Sequence, residues 1–389
     1  MVKEIFCLAD DTTGGLDVAG SFFSQKYNAS VLLDGNAQDQ LSASCTVRCL
    51  NSRHMPFEQS RSLLKQSLAQ INTNSQPAVY LKVDSALRGN VLDDSEELAR
   101  NFGNSHVFIA PAFPHYGRTC IDGIYYIDGI PVNESELAGN TAFRHTSAYL
   151  NEKRRGIYHI DRQMLDGGYG TLLKFVTGLD EQMVSFDTRD EKDLALIAQL
   201  GVDVGAVMAG SSGLARVFPK GSEAQHIEES AQNLPSLHVV GSLHSMARRQ
   251  LRALEESGIQ GINMRIEDLE NESAERQHQS RVRDVISRGG SIYISSPESY
   301  TPDSYASVES SLGRISSFTD PDHHLIIVGG ETARAVLKAR NITEVQITGE
   351  FEPGIPISKA ATSNGKIYTK AGAFGQADTL VKICRSKSP

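Results

Sequence analysis

"EIFCLADDTTGGLDVAGSFFSQKY" (residues 4–27) decides how the rest of the chain is read. Its first part, "EIFCLADD", is an apolar run closed by two carboxylates, the pattern of a buried strand ending in a turn. "LDVAGSFFSQKY" then reads as a helix. A strand that runs through a Thr-Thr-Gly-Gly turn into a helix is the opening unit of an α/β domain, and ligands in open α/β sheets collect beyond the carboxyl ends of strands. Gly14 and Gly15 let backbone come close to a partner, while Asp10 and Asp11 supply acceptors or a base. A helix cap alone accounts for one Asp. Two side by side, followed by glycines, favour a site.

The same rhythm continues outward. "SVLLDG" (30–35), "CTVRCLNSR" (45–53), "AVYLKVDS" (78–85) and "HVFIAPAF" (106–113) read as strands, and "EQSRSLLKQSLAQI" (58–71) as a helix. Residues 111–170 are less regular. "IYYIDGIPVNESE" (124–136) suggests a hairpin turning at Asp128-Gly129, and "NEKRRGIY" (151–158) a charged surface connection. "PKGSEAQHIEESAQNLPS" (219–236) is polar, contains two prolines, and is the best linker. Beyond it the α/β pattern restarts, with a charged helix near 271–289. With 389 residues, too many for one ordinary core, the expectation is two domains, 1–230 and 235–389. Each is expected to be a largely parallel sheet flanked by helices, with a cleft between them.

Composition narrows the partners. A net charge of −9 argues against nucleic acid or an anionic membrane, but not against a small anionic ligand. No apolar stretch approaches a membrane span, and the first residues, with Lys3, Glu4, Asp10 and Asp11, lack a signal peptide's features. Cytoplasm is the expected location. Five cysteines are too few for a disulfide framework, and Cys45 and Cys49 read as buried thiols on one strand face. Neither HExxH nor another metal spacing occurs, and His323-His324 reads as loop surface.

"KVDSALRGN" (82–90) gathers Lys82, Asp84, Ser85, Arg88 and Asn90 at another strand end. Two cations, a carboxylate and neutral hydrogen-bonding groups suit a ligand with both a carboxylate and hydroxyls. Arg53, closing "LNSR", can join them, and its planar fork can grip a carboxylate through two bonds. A salt-bridged loop is the plainer alternative. Three glycine turns punctuate the second half: "VVGSLHS" (239–245), "LIIVGGETARAVLKA" (325–339) and "KAGAFG" (370–375). Each alone is common in α/β proteins, whereas three in one domain point to backbone amides that receive phosphates. There is no GxxxxGK[ST], no GxGxxG, and "AGSSGLA" (209–215) lacks the GxSxG spacing of a hydrolase.

These residues together resemble the four-carbon acid sugar kinases, long grouped as a domain of unknown function. The resemblance runs nearly end to end through "ADDTTGGLDVAGSF", "NSR", "KVDSALRGN", "APAFPHYGRTCIDGIYYIDGIPVNESE", "GSSGLA", "GGETARAV", "GEFEPGIP" and "KAGAFGQADTL". It implies a sugar-acid-binding first domain, an ATP-binding second domain, and phosphorylation of a terminal 4-hydroxyl. Carried over, substrate contacts fall on Asp11, Arg53, Lys82, Val83, Asp84 and Ser85. Nucleotide contacts fall on Ser242, on Gly329, Gly330, Glu331 and Thr332, and on Gly372, Ala373, Phe374 and Gly375. The family's G-S-x-S turn here reads Gly241-Ser242-Leu243-His244-Ser245.

The expected activity is an ATP- and Mg²⁺-dependent kinase of D-threonate. D-erythronate or 3-oxo-tetronate are alternative substrates, and a non-catalytic sugar-acid and nucleotide sensor is the alternative class. Arg53 and Lys82 would hold the acid, and Asp84 or Asp11 would be the base. The partners expected are the sugar acid and ATP, and the reading leaves room for a homo-oligomer. Asp378 reads as a helix cap.

Overall fold

The computed structural model describes residues 2–33, 43–71, 76–103, 105–135, 156–221, 234–318 and 322–386. Most of the linker segment 219–236 and the start of "NEKRRGIY" lie outside these residues. The chain forms two compact units, Met1–Ala29 with Ser42–Ala224, and Ser30–Leu41 with Gln225–Pro389.

The chain begins with β1 (Ile5–Ala9), α1 (Thr12–Ser24), β2 (Ala29–Leu32), β3 (Cys45–Cys49), α2 (Phe57–Leu68), β4 (Ala78–Lys82), α3 (Val91–Asn101) and β5 (Val107–Ala110). A meander of β6 (Arg118–Ile121), β7 (Ile124–Ile127) and β8 (Ile130–Pro131) follows. Then come β9 (Ile157–Ile160), α4 (Arg162–Asp166), α5 (Tyr169–Thr177), β10 (Met183–Phe186), α6 (Glu191–Val204), β11 (Val207–Gly210) and α7 (Ser212–Arg216). The first unit's sheet has the order β3-β1-β4-β11-β5-β10-β9, and its pairings are parallel. Helices cover both faces, so the strands read as continuous apolar runs. β1 lies between β3 and β4, so the chain goes to β3 on one side of it and then back across to β4 on the other. That reversal opens a crevice at its carboxyl end.

α1 is buried along Thr12–Phe22, because small residues on every side let it press against the sheet. The meander turns at Asp128-Gly129, as its sequence indicates, and also at Asp122-Gly123. All four residues have positive φ (51° and 80° at Asp128-Gly129, 52° and 75° at Asp122-Gly123), the geometry tight hairpins need.

The second unit continues with β12 (Ser236–Val240), α8 (Ser245–Glu256), β13 (Gln260–Asn263), α9 (Glu272–Ser287), β14 (Ile292–Ser295) and α10 (Tyr305–Ser316). It closes with β15 (His324–Val328), α11 (Gly330–Ala339), β16 (Glu344–Glu352), β17 (Ile355–Lys359), β18 (Ile367–Lys370) and α12 (Thr379–Arg385). Strands β13-β14-β12-β15-β18 are parallel, and the order again reverses at β12. β17 and β16 extend the sheet as an antiparallel hairpin. β2, which chain order alone would give to the first domain, pairs antiparallel with β16 (Val31 opposite Val345). Among the described residues no helix is long and apolar enough to cross a membrane.

Two local readings change. His323 is buried, stacked on Phe318 and 2.7 Å from an Arg340 nitrogen, and His324 opens β15, so the pair is structural rather than loop surface. Asp378 stands at the start of α12 but makes no capping bond. It pairs with Lys382 at 3.0 Å, while the Thr379 hydroxyl takes the Gln376 N–H.

The packing of α1 on β1 and β3 is testable at Gly15. A Cβ there would lie 2.5 Å from the Cys49 sulfur and 3.3 Å from the Ala9 Cβ. Helix propensity favours Ala over Gly by about 1 kcal/mol, whereas overpacking costs about 1–3 kcal/mol. We expect Gly15→Ala to lower stability in urea unfolding, and Cys49→Ala in the same chain to recover most of the loss.

Candidate functional site

The first half-site forms where β1, β3 and β4 end in register. Ala9 pairs with Cys49 on one side and with Lys82 on the other. Short backbone bonds then lock the loops together: Leu50 N–H to Ala9 O (2.8 Å), Arg53 N–H to Asp10 O (3.1 Å) and Asp10 N–H to Lys82 O (3.3 Å). Asp10, Asp11, Arg53, Lys82 and Asp84 therefore meet by backbone register before any side-chain attraction is considered.

Arg53 is the hub. Its Nε and one terminal nitrogen bind both Asp10 oxygens at 2.8 and 2.7 Å, and the same terminal nitrogen reaches Asp11 Oδ1 at 2.6 Å. The other terminal nitrogen lies 3.5 Å from Asp84 Oδ1. Gly89, with φ of +88°, lies against the Arg53 backbone and stem, where no side chain fits without strain. Burial raises Asp10 above the usual carboxylate range although Arg53 opposes it. Burial pushes Asp84 the same way, but Arg88 and Arg53 outweigh it and hold Asp84 well below that range.

Asp84 has little bonding capacity left. Its Oδ2 accepts from the Ala86 and Arg88 amides, each at 3.1 Å, and from Arg88 Nε at 2.8 Å. Its Oδ1 accepts from a terminal Arg88 nitrogen at 2.8 Å. Asp84 thus folds the 84–88 turn, in which Leu87 takes a φ of +60°. Asp11 differs. One oxygen caps α1 by accepting from Gly14 N–H at 3.0 Å and also receives Arg53. Among the described residues no hydrogen bond is found to its other oxygen, so Asp11 caps the helix and keeps one acceptor uncommitted.

Lys82 is buried, donates to Val83 O at 2.9 Å, and comes close to Gly14, where a Cβ would lie 2.9 Å from its ammonium. The Val83 side chain belongs to the hydrophobic core, its N–H binds Gly210 O, and its carbonyl serves Lys82. Val83 is therefore engaged on every side. Ser85 is half-buried, and the Tyr125 hydroxyl fixes its carbonyl at 2.8 Å. The sequence did not single out Tyr125; the only signal was its place in the "IYYIDG" hairpin.

The second half-site gathers the ends of β12, β15 and β18. Gly241 and Ser242 N–H point to Val328 O (3.1 and 3.3 Å), and Gly329 N–H to Lys370 O (3.0 Å). The three glycine turns thus converge. Gly329 has φ of +119°, and a side chain at Gly372 would run into Ser242 and His244. Gly330 begins α11, whose first-turn N–H groups have no partner within the helix and favour an anion. Thr332 donates to Glu309 at 3.3 Å, and burial raises Glu309 to about 7. His244 stands where the family's G-S-x-S turn has its second serine, and its ring caps α8 by accepting from Met246 N–H at 3.1 Å.

Beneath the 371–376 turn, Gln250 donates to Phe374 O (3.0 Å) and Gln376 O (2.8 Å), and Thr379 donates to Glu352 (3.0 Å). Ala373 is half-buried, while Phe374 is buried and Glu331 exposed. Glycines, hydroxyls and a helix N-terminus are the chemistry of a phosphate cradle. Among the described residues no group of three or more His, Cys, Asp or Glu side chains could hold a metal.

Fold and site define a two-domain α/β protein with a charged cluster at the strand ends of one unit and converging glycine turns in the other. The chain belongs to the family formed by a sugar-binding N-terminal domain, matched over residues 5–218, and a nucleotide-binding C-terminal domain, matched over residues 237–380. It is 28% identical to a D-threonate kinase of Cupriavidus necator, over 96% of this chain and 95% of that protein. It is 24% identical to a 3-oxo-tetronate kinase of Pectobacterium atrosepticum, over 96% and 97%. A Salmonella typhimurium LT2 protein of known structure shares the fold with a TM-score of 0.84 at 20% identity, covering 98% of this chain and 99% of that one.

The Asp84 cluster makes a pH prediction. A carboxyl held low in the folded state adds stability above its unfolded value near 3.8, and that stability is lost as pH falls through the folded value. Asp84→Asn should cost about 1–3 kcal/mol near pH 7. In urea melts across a pH series, the gap from the parent protein should close as pH drops below about 4.

Proposed function

We propose that this protein is an ATP-dependent kinase that phosphorylates the 4-hydroxyl of a four-carbon sugar acid, with D-threonate as its preferred substrate. The D-threonate kinases among its relatives share 25–28% of its residues, the 3-oxo-tetronate kinases 22–24%. The "KVDSALRGN" turn is also similar to the threonate and erythronate branch.

One observation carries the mechanism: Asp11 is the carboxylate with an uncommitted oxygen. It accepts the proton of the 4-hydroxyl as that oxygen attacks the γ-phosphorus, and ADP leaves. Phosphoryl transfer asks mainly for positioning and charge neutralisation, so a weak base is enough. Asp84 becomes a positioning residue, because its oxygens are already bound by Arg88 and the turn amides. Lys82 binds the substrate carboxylate, as its ammonium has two N–H groups beyond the one given to Val83. The Arg53 fork is filled by Asp10 and Asp11, so Arg53 adds field and its Asp84-facing nitrogen rather than a bidentate grip. ATP lies against Ser242, Gly329–Thr332 and Gly372–Gly375, with Mg²⁺ neutralising the triphosphate when bound.

ADP release should be stimulated by D-threonate more than by D-erythronate or 3-oxo-tetronate. Preference for the 3-oxo acid would reassign the substrate, and no stimulation by any of the three would defeat the kinase reading. Asp11→Asn should cut kcat by about 10²–10⁴ with ATP affinity retained. Near-normal turnover in that variant would move the base elsewhere.

A further inference from the structure

Lys370 closes β18 and leads directly into the 371–376 turn, and its carbonyl receives Gly329 N–H, so two of the three glycine turns meet at this residue. Its side chain is only 1% exposed, and its ammonium donates no hydrogen bond. Strand alternation puts it on the face of Tyr368, which packs with Val240, Ala247, Leu251 and Leu380 beneath α8 and α12. The charge acting on it favourably is Glu352, whose Oε2 already receives the Thr379 hydroxyl. Burial pulls the ammonium down to about 7, with Glu352 opposing.

A buried cation without a hydrogen-bond partner is among the costliest things a fold can hold, and cores remove such groups readily unless a ligand uses them. Gln250 Oε1, which belongs to the support of the same turn, is likewise buried and unpartnered. Within the turns themselves, residues 239–245, 328–333 and 370–376, Lys370 is the one lysine or arginine. We infer that Lys370 is the phosphate-binding cation of the nucleotide site, its ammonium turning toward the 372–375 turn to pair with a phosphate of the bound nucleotide. This rests on the reading of the second unit as a nucleotide site. The four-carbon stem gives the ammonium its reach, and glycines at 372 and 375 leave that turn free of bulky side chains at those positions.

Lys370→Met keeps the apolar volume and removes the charge. Calorimetric titration of the full-length protein with ATP, ADP and adenosine, beside thermal melts, tests it. We expect ATP and ADP to bind roughly tenfold or more weakly than to the parent, as loss of a charge-assisted bond implies, with adenosine affinity unchanged. The melting temperature should hold or rise, and Lys370→Arg should restore part of the ATP affinity. Unchanged ATP binding overturns the inference. So does equal weakening for ATP and adenosine, or failure of Lys370→Met to fold, since either marks a structural lysine. If the parent protein binds none of the three ligands, the nucleotide reading itself fails, and this inference with it.

Discussion

Arg53 is shared by three carboxylates, and the first half-site exists only because of that sharing. Asp10, Asp11 and Asp84 are nearly buried, with side-chain exposures of 8, 13 and 8%. Three negative charges in so small a space repel one another and are stripped of water, which would drive them to take up protons. Arg53, Arg88 and Lys82 return three positive charges to the same place. Arg88 and Arg53 hold Asp84 low despite its burial, whereas burial, with Asp11 adding to it, shifts Asp10 the other way against Arg53. The pocket is thus assembled before any ligand enters, with its charges fixed by bonds to one another.

The second half-site is built on the opposite plan. Its turns are built mainly of glycines and hydroxyls, and close packing sets their shape. A side chain at Gly241 would strike the Thr332 hydroxyl, and one at Gly375 would meet the Thr379 hydroxyl at 2.8 Å. Such a surface recognises charge through main-chain N–H groups, whose positions the sheet fixes. Paired charges in one unit suit a small acid, whose individual groups they can match. An amide-lined cradle accepts any ligand that brings phosphates.

Much of this was legible in the sequence because it is local. The apolar runs, the carboxylates leaving β1, the 82–90 turn and the three glycine corners are contiguous segments whose chemistry does not depend on distant partners. What could not be read depends on pairing. β2 joins β16 more than 300 positions later, and an isolated "SVLL" run does not say which sheet it enters. Asp11 and Asp84 look equivalent as strand-end carboxylates. They separate only once Arg88, four residues after Asp84, claims both oxygens of that side chain. His323 looked like surface because Phe318 comes before β15 and Arg340 only after α11, so neither separation in sequence announces the contact.

The spare bonding capacity of the first half-site bears on selectivity. After the internal bonds are made, an oxygen of Asp11 and the Ser85 hydroxyl remain as acceptors, while Lys82 and the Asp84-facing nitrogen of Arg53 remain as donors. A hydroxyl can donate or accept, but a carbonyl only accepts. Should Asp11 receive the 4-hydroxyl, the interior of a four-carbon acid would face mainly donors, and these satisfy a 3-hydroxyl and a 3-carbonyl alike. Rejecting the oxo acid then needs an acceptor that a carbonyl would leave unpaired, because an unpaired buried polar group is what gives a site strong discrimination. The Ser85 hydroxyl is one group able to play that part, and it can rotate to donate instead. If Ser85 takes that part, selectivity within this substrate class turns on how firmly its side chain is held, and the Tyr125 hydroxyl already fixes its backbone carbonyl.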